Sequence, residues 1–132
     1  MAEPFVHTLH ECDAKGIVFD ANWFTYFDVT LTEWFRAAFG SYGALVEAGS
    51  DVVLAETTAR FKGSARFDDE VAIAVAVERL GTTSMVVTYT ARRDGETLVE
   101  GRTVYVFVDP ATMGKQAIPG WVREQLEAYA IG

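Results

Sequence analysis

The stretch from His10 to Gly40, HECDAKGIVFDANWFTYFDVTLTEWFRAAFG, decides the fold. It opens as a polar turn with a lone aspartate, passes a short apolar step, and runs into a long helical pattern. Asp20 or Asn22 can cap the helix and Gly40 ends it. Trp23, Phe24, Phe27, Leu31, Trp34, Phe35, Ala38 and Phe39 recur at three- and four-residue spacing, with Thr25, Asp28, Thr32 and Arg36 on the other side. Residues 22–39 make a rod roughly 27 Å long. Its apolar arc is too wide for a surface helix, so the rod should be mostly enclosed, and a sheet has to wrap it.

Upstream, Phe5 to Glu11 has the weak alternation of a short edge strand. Downstream, Ser41 to Gly49 reads as a short helical connection, after which the period changes to two. Val53 to Lys62 is strand-like, and Asp68-Asp69 marks a break. Val71, Ile73, Val75 and Val77 then alternate with Ala72, Ala74 and Ala76. Small side chains permit close approach, and the buried helix is a fair candidate for what approaches; the pattern alone leaves open which face it meets. Thr82 to Arg93 and Glu96 to Val108 form two more strands across Asp94-Gly95, a dipeptide in which both residues tolerate positive φ. Asp109-Pro110 ends the last strand. Pro119 stands where a first helical residue belongs, and Trp121, Gln125, Leu126 and Tyr129 give a short terminal helix. Strand, long helix, four strands able to pair antiparallel and a small helix describe an α+β protein whose sheet curls round one helix.

The chain has 132 residues, enough for one domain (1–132) with a real core. Half of them are hydrophobic and 23% charged, an ordinary globular balance. A net charge of −8 argues against nucleic acid or an anionic membrane as partner. No apolar run reaches the length of a membrane span, and MAEPFVHTLHE lacks a basic-then-apolar signal region. The single cysteine, Cys12, excludes an intrachain disulfide and suits a reducing, cytoplasmic setting.

The residues CDAKGIVFDANWFTYFD, Cys12 to Asp28, resemble the acyl-CoA thioesterases of the hotdog fold, in the 4-hydroxybenzoyl-CoA thioesterase class. The resemblance continues through ARFDDEVAI (Ala65 to Ile73), through Gly81-Thr82-Thr83-Ser84, and through VFVDP (Val106 to Pro110) with the KQAIP that follows. Its most specific part is the D-x-x-G-[IV]-V step, from Asp13 through Gly16, leading into the aromatic helix. It implies a hotdog fold of about five strands round a central helix, and hydrolysis of an acyl- or aroyl-CoA thioester. It also implies an aspartate at position 13 as base or nucleophile, and a backbone N–H near Asp20 polarising the thioester carbonyl. Asp13, Gly16 and Asp20 are thus the candidate catalytic positions. The sequence departs from the family at Asp20, often tyrosine or histidine there, and at Trp23, commonly tyrosine, which leaves the acyl preference open.

The chemistry is consistent with these residue types. A thiol leaves readily as thiolate, its reference pKa being near 8.5, so one carboxylate and an oxyanion site suffice without a metal or other cofactor. A helix N-terminus supplies unpaired N–H groups and the positive end of the dipole. Asp13 can equally be a turn aspartate bonding its own backbone. His7 and His10, three apart in a strand, point to opposite faces and cannot share a metal. Flanking carboxylates disfavour a Cys12 thiolate.

Trp23, Phe24 and Phe27 are candidates to line an acyl pocket, with Asp28 a further substrate contact. For the coenzyme A phosphates the resemblance points to Thr82, Thr83, Ser84 and Lys115, and the basic cluster adds Lys62 and Arg66. A lone unit leaves an edge strand and part of the helix uncovered, so a homodimer or homotetramer with sites between subunits is expected. A hotdog dehydratase or hydratase, which wants a histidine beside the carboxylate, and a noncatalytic acyl- or aromatic-ligand-binding module are the alternatives.

Overall fold

The computed structural model describes residues 5–8, 22–66 and 69–130. The elements are β1 (Phe5–Thr8), α1 (Asn22–Phe39), α2 (Tyr42–Glu47), β2 (Asp51–Phe61), β3 (Glu70–Leu80), β4 (Ser84–Arg93), β5 (Glu96–Val108) and α3 (Gly120–Glu127). The strands form one antiparallel sheet in the order β1-β3-β4-β5-β2. β1 accounts for the first part of the expected Phe5–Glu11 strand, and the remainder lies outside the described residues.

α1 has the extent that its periodicity predicts, and Gly40, at φ 88°, ends it with a backbone shape few other residues adopt. The side chain of Ser41 accepts the Ala44 N–H at 3.0 Å and starts α2. Asp94 and Gly95 both have positive φ, as a two-residue hairpin turn requires. Pro119 is not the first helical residue: its ψ of 143° keeps it extended, and α3 begins one position later.

The core lies between α1 and the concave face of the sheet. Trp23, Tyr26, Phe27, Thr30, Leu31, Trp34 and Phe35 are buried on one side of α1. The other side is open, so the helix is half enclosed rather than mostly enclosed: Phe24 and Val29 are exposed. A single sheet can cover only one side of a rod, whatever the width of its apolar arc. On β3 the helix takes the bulky face, not the small one. Val71, Ile73, Val75 and Val77 are buried, while Ala72, Ala74 and Ala76 lie on the outer side. Burying branched side chains releases more apolar area than burying alanines, which decides the orientation.

The two long sides of the sheet are finished differently. β1 covers β3 at residues 70–73, and farther along the C-terminal segment bridges Val77 to Ala130, the Val77 N–H donating to the Tyr129 carbonyl at 2.8 Å. On the opposite side β2 is an eleven-residue strand paired only with β5 among the described elements.

Candidate active site

The direction of α1 decides where its N-terminus acts. Its C-terminal end leads through α2 into Asp51, which pairs with Val108, and Gln116 Nε2 donates to the Gly49 carbonyl there. The N-terminal half lies over the middle of the sheet: Phe27 stacks on Tyr89 with ring centroids 5.0 Å apart and planes 10° apart. α1 therefore opens toward the end of the sheet that carries the Asp94-Gly95 turn. Asp13, Gly16 and Asp20 precede α1 in the sequence and lie outside the described residues.

Trp23 and Phe27 are buried, packed together and against Tyr26. Phe24 is 37% exposed and Asp28 exposed, one turn apart on the open side of α1. Across from them, β2 outreaches the helix. Its inward-facing Leu54 and Phe61, paired with Tyr105 and Val99, are 56% and 46% exposed. Phe24 on the helix and Leu54 and Phe61 on the edge strand thus leave apolar surface uncovered on the α1 side of the sheet.

The inner face of the sheet carries hydroxyls. Tyr89 and Tyr105 meet OH to OH at 2.7 Å, and Thr57 Oγ1 lies 2.9 Å from the Oγ1 of Thr103, next to Tyr105 on the same face of β5. Burial, aided by the nearby Tyr105 and Asp28, raises the Tyr89 phenol well above its ordinary range. Burial and the Asp28 charge push Tyr105 up to about 12, against the opposing bonds from Tyr89 and Thr103. Both are neutral hydrogen-bonding groups at physiological pH.

The candidate nucleotide contacts form two groups. At one end of the sheet the Gly81–Ser84 turn is laced to the segment after β5. Phe107 N–H donates to the Thr83 carbonyl (2.7 Å), Ile118 N–H to that of Thr82 (2.9 Å), and Arg123 to that of Gly81 (2.6 Å). Lys115 belongs to the same group, bridged to Val108 and exposed. Lys62 and Arg66 lie at the other end, the Lys62 N–H bonding to the Leu98 carbonyl. From Leu98 to Val108 along β5 is about 33 Å, so one chain does not bring the two groups together. The Lys62 ammonium is already 2.8 Å from Glu100.

Residue-type reasoning misses the clip that holds the Lys62–Arg66 loop. Asp69 accepts the Arg66 N–H and the Arg93 guanidinium, each at 2.7 Å, and Arg93 also reaches the Ser64 carbonyl and Glu96. The backbone bond from Arg66, then Arg93, hold the Asp69 carboxyl below its usual range. The hydroxyl chain and Gly101 are also missed, because their partners come from separate strands. Among the described residues no three of His, Cys, Asp and Glu are grouped to hold a metal, and no helix is long and apolar enough to cross a membrane.

Comparison with known proteins gives this geometry a family. An acyl-CoA thioester hydrolase, YbgC, of Escherichia coli O6:H1 is 29% identical over 110 residues, covering 83% of this chain and 82% of that one. A solved protein of Aquifex aeolicus superposes with a TM-score of 0.87 at 24% identity, covering 93% and 98% of the two chains. The gentisyl-coenzyme A thioesterase BH1999 superposes at 0.82 with 21% identity, covering 94% and 98%. The 1,4-dihydroxy-2-naphthoyl-CoA thioesterase of Synechocystis superposes at 0.83 with 12% identity, covering 94% of each chain. The family model of the thioesterase superfamily matches residues 15–100, and this chain, with its antiparallel sheet curled against one long helix in the hotdog manner, belongs to that superfamily.

Proposed function

We propose that the protein, acting as one hotdog domain, hydrolyses an acyl- or aroyl-CoA thioester to the free acid and coenzyme A. The observation that carries this is the start of α1 at Asn22, directly after the Asp13–Asp20 step, within a chain of the thioesterase superfamily. A helix beginning there offers its first N–H groups, with the backbone near Asp20, to the thioester oxygen as it gains negative charge. Gly16 lets the preceding turn fold close to that oxygen.

The Asp13 carboxylate either takes a proton from water as the water oxygen adds to the carbonyl carbon, or attacks that carbon itself. In the first route the tetrahedral intermediate collapses, the C–S bond breaks, and the thiolate leaves and collects the proton. In the second, the C–S bond breaks and the thiolate leaves as the Asp13 acyl anhydride forms, and water then hydrolyses the anhydride to the free acid and regenerates the carboxylate. Neither route draws on a metal or a separate cofactor; coenzyme A arrives as part of the substrate.

The acyl group is assigned to the uncovered apolar surface beside α1, against Phe24 and Asp28, with Trp23 and Phe27 packed beneath them. The free length of β2, with Leu54 and Phe61 exposed beside it, supports pairing with a second copy about a two-fold axis. Two such strands run antiparallel, so the Lys62 and Arg66 end of one sheet meets the Thr82, Thr83, Ser84 and Lys115 end of the other. Homodimerisation, or a homotetramer of two such pairs, therefore unites the separated nucleotide contacts in one shared site.

The test is thiol release from a panel that includes gentisyl-, dihydroxynaphthoyl-, phenylacetyl- and short branched acyl-CoA, with wild type and Asp13→Asn. Release by the wild type and its loss in the variant are expected. No release from any thioester, or full rate with asparagine, overturns the assignment.

A further inference from the structure

We propose that Gly101 is a positioning residue for the first turns of α1, and through them for the acyl site. This rests on the thioesterase function proposed above. A glycine inside a strand adds no packing and costs backbone entropy, so its place in β5, among Thr103, Tyr105 and Phe107, calls for a reason. The reason lies directly above it. A Cβ at residue 101 stands 2.6 Å from Cε2 of Phe27, 3.1 Å from Cζ and 3.2 Å from Cδ2. Carbon atoms rest about 3.5–4.0 Å apart, so the ring sits roughly 1 Å deeper than any other residue allows.

The ring has nowhere to slide. Gly101 pairs with Tyr89, and Phe27 lies flat on the Tyr89 ring, whose far end is bonded to Tyr105. Phe27 packs in turn on Trp23 and Phe24, the residues that open α1. Trp34 with Tyr129 and Phe39 with Trp121 anchor the other end of the helix. Taking Trp34 as the pivot, Phe27 is about 10 Å along the rod and Asn22 about 18 Å. A lift of about 1 Å at Phe27 thus moves the helix start by about 1.7 Å. Misplacing reacting groups by about 1 Å costs about 10²-fold in rate.

The experiment is a cycle of Gly101→Ala, Phe27→Leu and the double variant, read as kcat, KM and Tm on the wild type's best thioester. In Gly101→Ala, kcat is expected to fall about 10²-fold with KM much less affected, because Thr82–Ser84 and Lys115 lie at the far end of β5 and the Lys62–Glu100 pair lies on the opposite face of the sheet from the seat. The double variant, with a smaller side chain over the new methyl, is expected to regain about tenfold over Gly101→Ala. A lower Tm at unchanged kcat, or a double variant no faster than Gly101→Ala, overturns the proposal. Should Gly101→Ala alone fail to fold, the double variant carries the test: a folded, active protein supports the seat and an unfolded one overturns it. If the wild type cleaves no thioester, the thioesterase assignment fails, and backbone amide NMR shifts decide the positioning separately. Shifts in Gly101→Ala that spread over residues 22–28 support it, and shifts confined to β4 and β5 overturn it.

Discussion

Raising the pH should unfold this protein through two particular phenols. Tyr105 ionises at about 12 in the folded chain and near 10 when unfolded, so the folded state holds a proton that the unfolded state loses over that interval. A group with a raised folded value stabilises fully below its unfolded value, and the contribution fades as pH climbs to the folded one. For Tyr105 the loss approaches 2 × 1.36, or about 2.7 kcal/mol. Tyr89, whose phenol burial raises well above its ordinary range, adds a loss of the same sign. Tyr105 alone thus removes about 2.7 kcal/mol from a domain whose whole stability is about 5–15 kcal/mol. Urea unfolding at stepped pH should show stability falling steadily between about pH 10 and 12. Tyr105→Phe should make that slope shallower. At neutral pH the same change strands the buried Tyr89 hydroxyl and costs about 1–3 kcal/mol. An unchanged slope in Tyr105→Phe refutes the reasoning. So does tyrosinate absorbance in which all five tyrosines ionise in one step near pH 10 with the fold intact.

Asp69→Ala should cost about 1 kcal/mol at neutral pH, by releasing Arg93 and the Arg66 N–H. Because the Asp69 carboxyl is held low, that difference exists above its ordinary value of 3.8 and should vanish as acid titrates it; chemical denaturation at both extremes checks this. Leu54→Lys with Phe61→Lys should shift light-scattering mass toward the monomer at micromolar protein and lower thiol release with it. Mixing unfolded Asp13→Asn and Lys115→Glu chains and refolding them together should restore about a quarter of wild-type sites, by random pairing of two-fold dimers. No recovery there counts against a shared site.

Much of the fold was legible because its signals are local. The aromatic spacing from Trp23 to Phe39 gives α1 its buried face and Gly40 its end, and Asp94-Gly95 gives the hairpin. The family resemblance around Asp13 and Gly16 agrees with the superfamily match. What stayed hidden depends on register between distant strands. Nothing near residue 101 announces an aromatic ring overhead, nothing near Tyr89 announces Tyr105 sixteen residues on, and Asp69 is twenty-four residues from Arg93. The two groups of proposed nucleotide contacts look like one basic rim along the chain, yet they lie at opposite ends of the sheet, since strand direction is invisible to composition. The alternation on β3 leaves the helix-facing side open for the same reason: it marks two faces, and only the folded sheet shows that the core is built on the valine and isoleucine face.

The short patch formed by Ala130 on Val77 has a consequence for assembly. A ribbon with both margins bare can recruit neighbours without end, which is the route to fibres. Among the described residues, β3 is covered by the four-residue β1 and by the single Ala130 bridge, both too short to template a long partner, whereas β2 offers eleven residues on its free side. The two margins are therefore unequal: backbone pairing with another copy has a long template on β2 and only short ones opposite.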